Sequence, residues 1–248
     1  MKRDVLILPV TLVIAVGIVG WALRREHGDS KVGDQDGDAP LSLAAGGAVD
    51  GRFCLLSVWQ RAQVPCASRF DPPLGTDSGG LVYNAQKFWE MNDSRGGRHF
   101  GDDLNGIGGM NTDLGDPVFA AADGLVVYAG EPSSGWGNVA VLAHRGADGQ
   151  LVQSMYAHLD RLAVGRGMLV ARGMKLGTMG TAHGNYPAHL HFEMRASDEV
   201  DIGAGYGMEK LNRLDPAATV AAHRAAAPAD CAPAVLAVAL LTGGASPP

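Results

Sequence analysis

Short apolar runs separated by turn residues dominate the segment 117–195. Seven such runs recur, each bounded by Gly, Pro, Asn or Asp. The glycines and asparagines between them supply the positive φ angles that tight hairpins require. The pattern predicts a mainly β fold, an antiparallel open sheet or sandwich of short strands with long loops. The predicted strands are PVFAA, GLVVYAG, NVAVLAHR, LVQSMYAHL, GMLVA, KLGTMG and AHLHFEMR.

A different pattern stands at the start of the chain. The nineteen residues 5–23 carry no charge, and as a helix rising about 1.5 Å per residue they match a hydrocarbon core of roughly 30 Å. We therefore expect residues 1–23 to form a transmembrane anchor. A cleaved signal sequence is the alternative, although its apolar region usually has about 7–15 residues and no small-residue cleavage site follows here. Residues 24–50 are charged and rich in Gly and Asp, which predicts a flexible linker.

The remaining pattern divides the chain further. Residues 51–98 are expected to form a lead-in segment that contains a short helix at 84–91, and residues 99–215 the main domain. A short C-terminal helix is expected to begin at Pro216, with Asp215 as its N-cap, because Pro suits the first helical position. The rest of the segment 216–248 contains an apolar run of about ten residues, too short to span a membrane.

Composition and charge narrow the function. The chain has 248 residues and a net charge of −6, without a Lys/Arg cluster that alternates with aromatics, so nucleic acid is not an expected partner. The three cysteines, Cys54, Cys66 and Cys231, include no C-x-x-C pair, which excludes a thiolate zinc site. A disulfide between Cys54 and Cys66 and buried free thiols are both open.

Four of the eight histidines lie in three short segments that together suit a metal site. The first segment, HFGDDLNG, contains His99 and Asp103. These residues are four apart, so a turn can bring an imidazole nitrogen and a carboxylate oxygen, both zinc ligand types, to one point. Taken alone, this segment is better explained as a solvated pair or a cap.

The other two segments supply three histidines. In AHLHFEMR, His189 and His191 lie two residues apart and so share one strand face, while Leu190 and Phe192 point to the core. In SMYAHLD, His158 ends a strand that the hairpin count places near this one. Catalytic zinc takes three protein ligands and leaves one position open, with proton-handling groups nearby. Four histidines and one aspartate provide both sets.

The segments HFGDD, YAHL and HLHFE, in this order, resemble the three signature segments of the lysostaphin/LytM-type zinc metallopeptidases, peptidoglycan endopeptidases with a domain of the duplicated-hybrid-motif type. The similarity includes DPVFAAADGLVVYAG and GWGNVAVLAH and covers residues 99–195. It implies that His99, Asp103 and His191 bind Zn²⁺. It also implies that His158 and His189 flank the metal and share the general-base and oxyanion-stabilising roles.

The resemblance also implies a function and a location. The expected activity is zinc-dependent hydrolysis of peptide bonds in peptidoglycan cross-links or stem peptides by a metal-activated water. This substrate places the catalytic domain in the periplasm on a single-pass inner-membrane anchor, so peptidoglycan and the membrane are the expected partners; divisome or wall-remodelling partners are not specified. The alternative is a non-catalytic LytM-like module that binds the wall or activates another wall hydrolase. The helical zincins are excluded because H-E-x-x-H is absent.

One position departs from the family pattern. Asp102 stands where the family has a hydrophobic residue before the liganding Asp. Alternation directs Asp103 to the metal and turns Asp102 away, either beside a ligand or into solvent. The Gly-rich loop 105–116 is either a rim of the substrate groove or a plain surface loop. His144 and His183 are expected to be structural.

Overall fold

The computed structural model describes residues 40–42, 48–50, 53–75 and 81–227. The predicted anchor, residues 1–23, and the apolar tail lie outside these ranges, as does most of the predicted linker. Within the described ranges, no helix combines the length and the apolar character needed to cross a bilayer.

The described residues form seventeen strands and two helices. In chain order they are β1 (Pro40–Ser42), β2 (Ala48–Asp50), β3 (Phe53–Leu55), α1 (Val58–Gln63), β4 (Val82–Gln86), β5 (Met91–Asn92), β6 (Gly97–His99), β7 (Asp102–Gly106), β8 (Pro117–Phe119), β9 (Gly124–Gly130), β10 (Asn138–Arg145), β11 (Leu151–Leu162), β12 (Leu169–Val170), β13 (Lys175–Met179), β14 (Leu190–Ala196), β15 (Glu199–Asp201), β16 (Tyr206–Gly207), β17 (Arg213–Leu214) and α2 (Pro216–His223).

A ten-stranded antiparallel sheet forms the body of the domain. Its main path runs β12-β9-β10-β11-β14-β7-β4, while β13 pairs with β11 and β8, and β17 pairs with β14. Each of the seven predicted strands is present, and the mainly β prediction is confirmed. The predicted C-terminal helix is confirmed as α2, where the Asp215 side chain accepts a hydrogen bond from the Ala218 amide.

Apolar side chains cover both faces of the central strands. All seven residues of β9 are buried, and so are seven of the eight in β10. Val126 and Leu142 belong to one core, which α2 covers with Val220, whereas Val127 and Val141 belong to the core on the opposite face. Burial on both faces explains why these strands are continuous apolar runs instead of alternating ones.

The prediction of a helix at 84–91 is wrong. Residues up to Gln86 belong to β4, the edge strand next to β7. Trp89 then takes φ +66°, a left-handed conformation that an α-helix does not contain. The helix of this region lies earlier, as α1, where Ser57 and Gln60 form a reciprocal capping box.

A disulfide is present in the lead-in segment. Cys66 is disulfide-bonded, and such bonds persist mainly in oxidising compartments. The side chains of Cys54 and Cys231 lie outside those that the structure describes, so the Cys54–Cys66 pairing stays a prediction.

A buried histidine links β10 and β11 to the core. The Nδ1 of His144 donates to the Asp123 carbonyl oxygen at 2.7 Å, and its Nε2 lies 2.7 Å from the Ser154 hydroxyl oxygen. Burial lowers the pKa of His144 to about 4. The imidazole is therefore neutral in the folded protein at neutral pH.

This buried imidazole makes stability depend on pH. Below a pH of about 6.5, His144 becomes protonated in the unfolded chain but stays neutral in the folded one. Its contribution to the free energy of unfolding is therefore complete above a pH of about 6.5 and is lost as the pH falls to about 4. The loss from this group should reach about 3 kcal/mol in the free energy of unfolding. Denaturant titrations at each pH should show a flatter pH dependence in His144→Gln. Equal slopes in the two proteins would contradict the assignment.

Candidate metal centre

A close approach between two strands brings together residues that are distant in sequence. His99 ends β6, two residues follow, and Asp103 lies in β7 directly opposite His191 of β14. A Cβ atom on Gly101 would lie 2.5 Å from the Phe192 carbonyl oxygen. Only glycine therefore lets the connection between β6 and β7 pass this close to β14.

Three potential ligand atoms converge at this point. The Nε2 of His99 lies 3.0 Å from the Nδ1 of His191 and 3.2 Å from the Oδ1 of Asp103, and the latter two atoms are 3.0 Å apart. Burial opposes ionisation of Asp103, but hydrogen bonds from His191 and His99 outweigh it and hold the pKa of the carboxyl well below its usual range. The carboxylate is thus an anion beside two imidazoles.

The geometry fits a zinc ion. Ligands of a tetrahedral zinc ion at about 2.0–2.1 Å lie roughly 3.3 Å apart, close to the three observed separations. Two imidazoles and one carboxylate are a donor set of a catalytic rather than a structural site, because they leave a fourth position for water or substrate. In the described part of the chain, His99, Asp103 and His191 form the one cluster of this kind.

Buried charges orient His191. Its Nε2 lies 2.9 Å from Glu193 Oε1, and the same carboxylate is 2.8 Å from Arg195 Nη2 and 3.0 Å from Arg213 Nε. Although burial opposes it, attraction to Arg195 and the bond from His191 lower the pKa of Glu193 to about 2. Burial opposes protonation of His191, but hydrogen bonds to Asp103 and Glu193 outweigh it and raise its pKa to about 9, so without a metal both ring nitrogens donate. A metal would replace the Nδ1 hydrogen, while Nε2 keeps its hydrogen because the Glu193 carboxylate can only accept.

Two more imidazoles face the cluster in matching tautomers. His158 donates from Nδ1 to the Trp136 carbonyl oxygen at 3.0 Å, and His189 donates from Nδ1 to the Pro187 carbonyl oxygen at 2.8 Å. Both therefore keep a bare Nε2 when neutral. The Nε2 of His189 lies 3.7 Å from Asp103 Oδ1. Burial is the main cause that lowers the pKa of both rings, so both are neutral near pH 7.

The orientation of His158 depends on an irregular strand. The residue takes φ +62° within β11, where the pairing with both β10 and β13 shifts register. Such a conformation is rare for a residue with a side chain and marks a bulge that redirects it. The ring consequently lies 4.7 Å from that of His189, centroid to centroid.

Asp103 and His191 of the cluster line a groove of 610 Å³, together with His158 and His189, while His99 is buried beside it. The sequence-predicted loop 105–116 does not line it, but Asn111 accepts a hydrogen bond from the Ala188 amide beside the H-x-H segment. Sequence reasoning missed one arginine and three aromatic side chains of the lining, which are Arg95, Trp136 and Tyr186 from separate loops and Tyr206 from β16. It also missed Glu193, which the alternation in HFEMR places on the same strand face as His191.

The other polar residues considered from sequence lie apart from the cluster. Asp102 is buried and accepts a hydrogen bond from the Phe88 amide, so it turns away from the ligand atoms but not into solvent. His144 is part of the core network described above, and His183 pairs with Glu131 at 2.8 Å near the surface.

The chain is similar to several known proteins. Residues 105–202 match the family described as Peptidase family M23. The chain is 42% identical over 81 residues, 33% of its length, to "Lipoprotein NlpD" of Yersinia enterocolitica, of which 78% is covered. It is equally identical over 81 residues to "Murein hydrolase activator NlpD" of Escherichia coli, of which the match covers only 20%. The peptidase lysostaphin from Staphylococcus simulans has a TM-score of 0.41 at 24% identity, with 60% of this chain and 52% of that chain covered. The protein belongs to peptidase family M23.

Proposed function

We propose that the chain is a zinc-dependent endopeptidase that hydrolyses peptide bonds in peptidoglycan. The observation that carries the proposal is that three potential ligand atoms converge beside a groove lined by two imidazoles with bare Nε2 atoms. A domain that served only as a scaffold would not need five buried or half-buried ionisable side chains at one point, since each costs desolvation energy.

The metal-binding side chains have separate tasks in this proposal. His99 and His191 would bind zinc through nitrogen and Asp103 through a carboxylate oxygen that is already ionised. Zinc bound there would supply a water activated for attack and polarise the scissile carbonyl group. Glu193 acts on His191 by fixing its ring orientation and its tautomer.

The remaining two imidazoles handle protons. His158 and His189 are neutral near pH 7 and direct Nε2 into the groove, so either can accept the proton of the attacking water. The imidazolium formed can then return the proton to the leaving amine. Carbonyl oxygens of Trp136 and Pro187 stabilise this charged form through the Nδ1 hydrogen bonds.

The substrate and the location rest on the relatives. Proteins named as lipoproteins and as a murein hydrolase activator support a role at the bacterial cell wall. We propose a periplasmic domain, attached to the inner membrane through residues 1–23.

The second candidate is a non-catalytic activator of another wall hydrolase. The Escherichia coli relative is named a murein hydrolase activator, which favours this candidate over catalysis. The complete set of five side chains, His99, Asp103, His158, His189 and His191, favours catalysis. Under the second candidate the groove would bind a partner hydrolase or a wall strand and no bond would break in it.

Digestion of purified peptidoglycan separates the two candidates. We expect the zinc-loaded protein alone to release fragments with new amino termini, a chelator to stop the release, and added zinc to restore it. Mass spectrometry of the fragments identifies the bond. If the protein releases nothing in excess zinc, but accelerates a separately purified wall hydrolase equally well with and without chelator, it is an activator and the peptidase proposal is wrong.

A further inference from the structure

The groove contains a positive charge that the chemistry above does not use. Among its lining residues, Arg95 is the one lysine or arginine and Asp103 the one carboxylate. Within the described part of the chain, no carboxylate forms an ion pair with Arg95. Because Asp103 already contacts two imidazoles, the guanidinium is left to interact with a molecule in the groove.

Two tyrosines place this charge beside the candidate metal centre. The guanidinium carbon of Arg95 lies 5.4 Å from the ring centroid of Tyr186 and 5.8 Å from that of Tyr206. The Tyr186 ring is 4.9 Å from that of His158, and the Tyr206 ring is 5.0 Å from that of His99. One aromatic ring therefore separates the cation from a proton-handling imidazole on one side and from a potential ligand on the other.

The backbone of Arg95 is held by the hairpin that carries His99. Residue 95 lies in the turn between β5 and β6, where the Asn92 side-chain oxygen accepts hydrogen bonds from the Arg95 amide and the Ser94 hydroxyl. Gly96 completes the turn with φ +67°. The position of Arg95 is thus set by the same short hairpin that delivers His99 to the cluster.

We propose that Arg95 binds a free carboxylate of the peptide substrate close to the scissile bond. The proposal deepens the proposed function and rests on it, because it takes the groove as a peptide-binding site. A guanidinium presents a planar fork of donors that matches a carboxylate, and the faces of Tyr186 and Tyr206 favour a cation between them. The substrate class is then an anionic peptide, such as a wall stem peptide, rather than a neutral glycine bridge.

Two carboxylates of a stem peptide could fill this position. One is the side-chain carboxylate of a diamino acid, and the other is the carboxylate at the chain terminus. Both present the same chemistry to Arg95, so the experiment must distinguish them by blocking each in turn.

The test uses the full chain and three synthetic peptides. They are a stem tetrapeptide with both carboxylates free and its two mono-carboxamides, and their dissociation constants are measured by calorimetry with chelator present. A charged hydrogen bond contributes about 1.5–3 kcal/mol, so one carboxamide should bind about 10- to 100-fold more weakly than the free peptide. Arg95→Gln should bind the peptides equally, and Arg95→Lys should keep part of the preference. The matched control is Arg161→Gln, which removes the same charge from a side chain that is 86% exposed and does not line the groove.

Three results of the binding experiment would contradict a carboxylate site at Arg95. If the wild-type protein binds acid and carboxamides alike, if it binds none of the peptides, or if Arg95→Gln keeps the wild-type preference, the inference is overturned. Hydrolysis is measured separately in zinc. A protein that shows the Arg95-dependent preference but cuts no peptide would contradict the proposed peptidase activity while leaving the carboxylate site in place.

Discussion

We expect Asp103→Asn to remove both the zinc binding and the peptidase activity that we propose. The substitution keeps the shape of the side chain but removes the negative charge that lies 3.0–3.2 Å from the two imidazole nitrogens. Loss of an outer hydrogen-bond partner typically weakens a metal site about 10- to 100-fold, and the loss of a ligand charge should exceed that. Because a metal contributes several kcal/mol to hydrolysis, peptidoglycan cleavage should fall by about 10³-fold or more. Competition titration with a zinc indicator measures the affinity, and fragment release measures the rate.

The neighbouring carboxylate provides the matched control. Asp102 is also buried, but its side chain accepts a hydrogen bond from the Phe88 amide on the other side of the strand. Asp102→Asn makes the same chemical change one residue away and should leave the zinc affinity within a few-fold of wild type, at a cost in stability of about 1 kcal/mol. Equal loss of zinc in both variants, or in neither, would show that the metal does not bind where we propose.

The sequence predicts the sheet well because its signals are local. GLVVYAG and NVAVLAHR are strands in the structure since their apolar runs are bounded by turn residues on both sides. The prediction of a helix at NAQKFWEM failed because the spacing of its apolar residues also suits a helix. The left-handed backbone conformation of Trp89 leaves no signal in the local sequence. An aromatic residue at positive φ is held by tertiary contacts, here the parallel stacking of Trp89 on Phe100.

In the candidate site, too, the local features were predictable from sequence and those that depend on strand pairing were not. Four of the five residues that the sequence singles out line one groove, and the fifth, His99, is buried against His191. Strand alternation correctly separates His191 from the core residues Leu190 and Phe192. Alternation could not predict that His158 turns into the groove, since that depends on register shifts in the pairing of β11 with β10 and β13. Arg95, in the turn between β5 and β6, and Tyr206, in β16, lie outside the motifs.

Glu193 connects the candidate metal centre to two buried arginines. Glu193→Gln keeps a group near His191 Nε2 but removes the anion that fixes its tautomer, because an amide can donate as well as accept. Zinc affinity should fall about 10- to 100-fold. The same change leaves Arg195 and Arg213 buried without their shared carboxylate, and breaking a buried ion pair in this way costs about 3–5 kcal/mol of stability.

The two effects can be measured apart. Zinc affinity is titrated at a temperature where circular dichroism shows the variant to be folded, and the free energy of unfolding is taken from denaturant titrations in chelator. Glu199→Gln is the control, since that side chain is exposed and belongs to no described ion pair; it should change neither quantity. A Glu193→Gln protein that loses stability but binds zinc as tightly as wild type would mean that Glu193 only neutralises the two arginines. His191 would then owe its orientation to packing against the rings of Trp136 and His99, which lie 5.2 Å and 4.8 Å away.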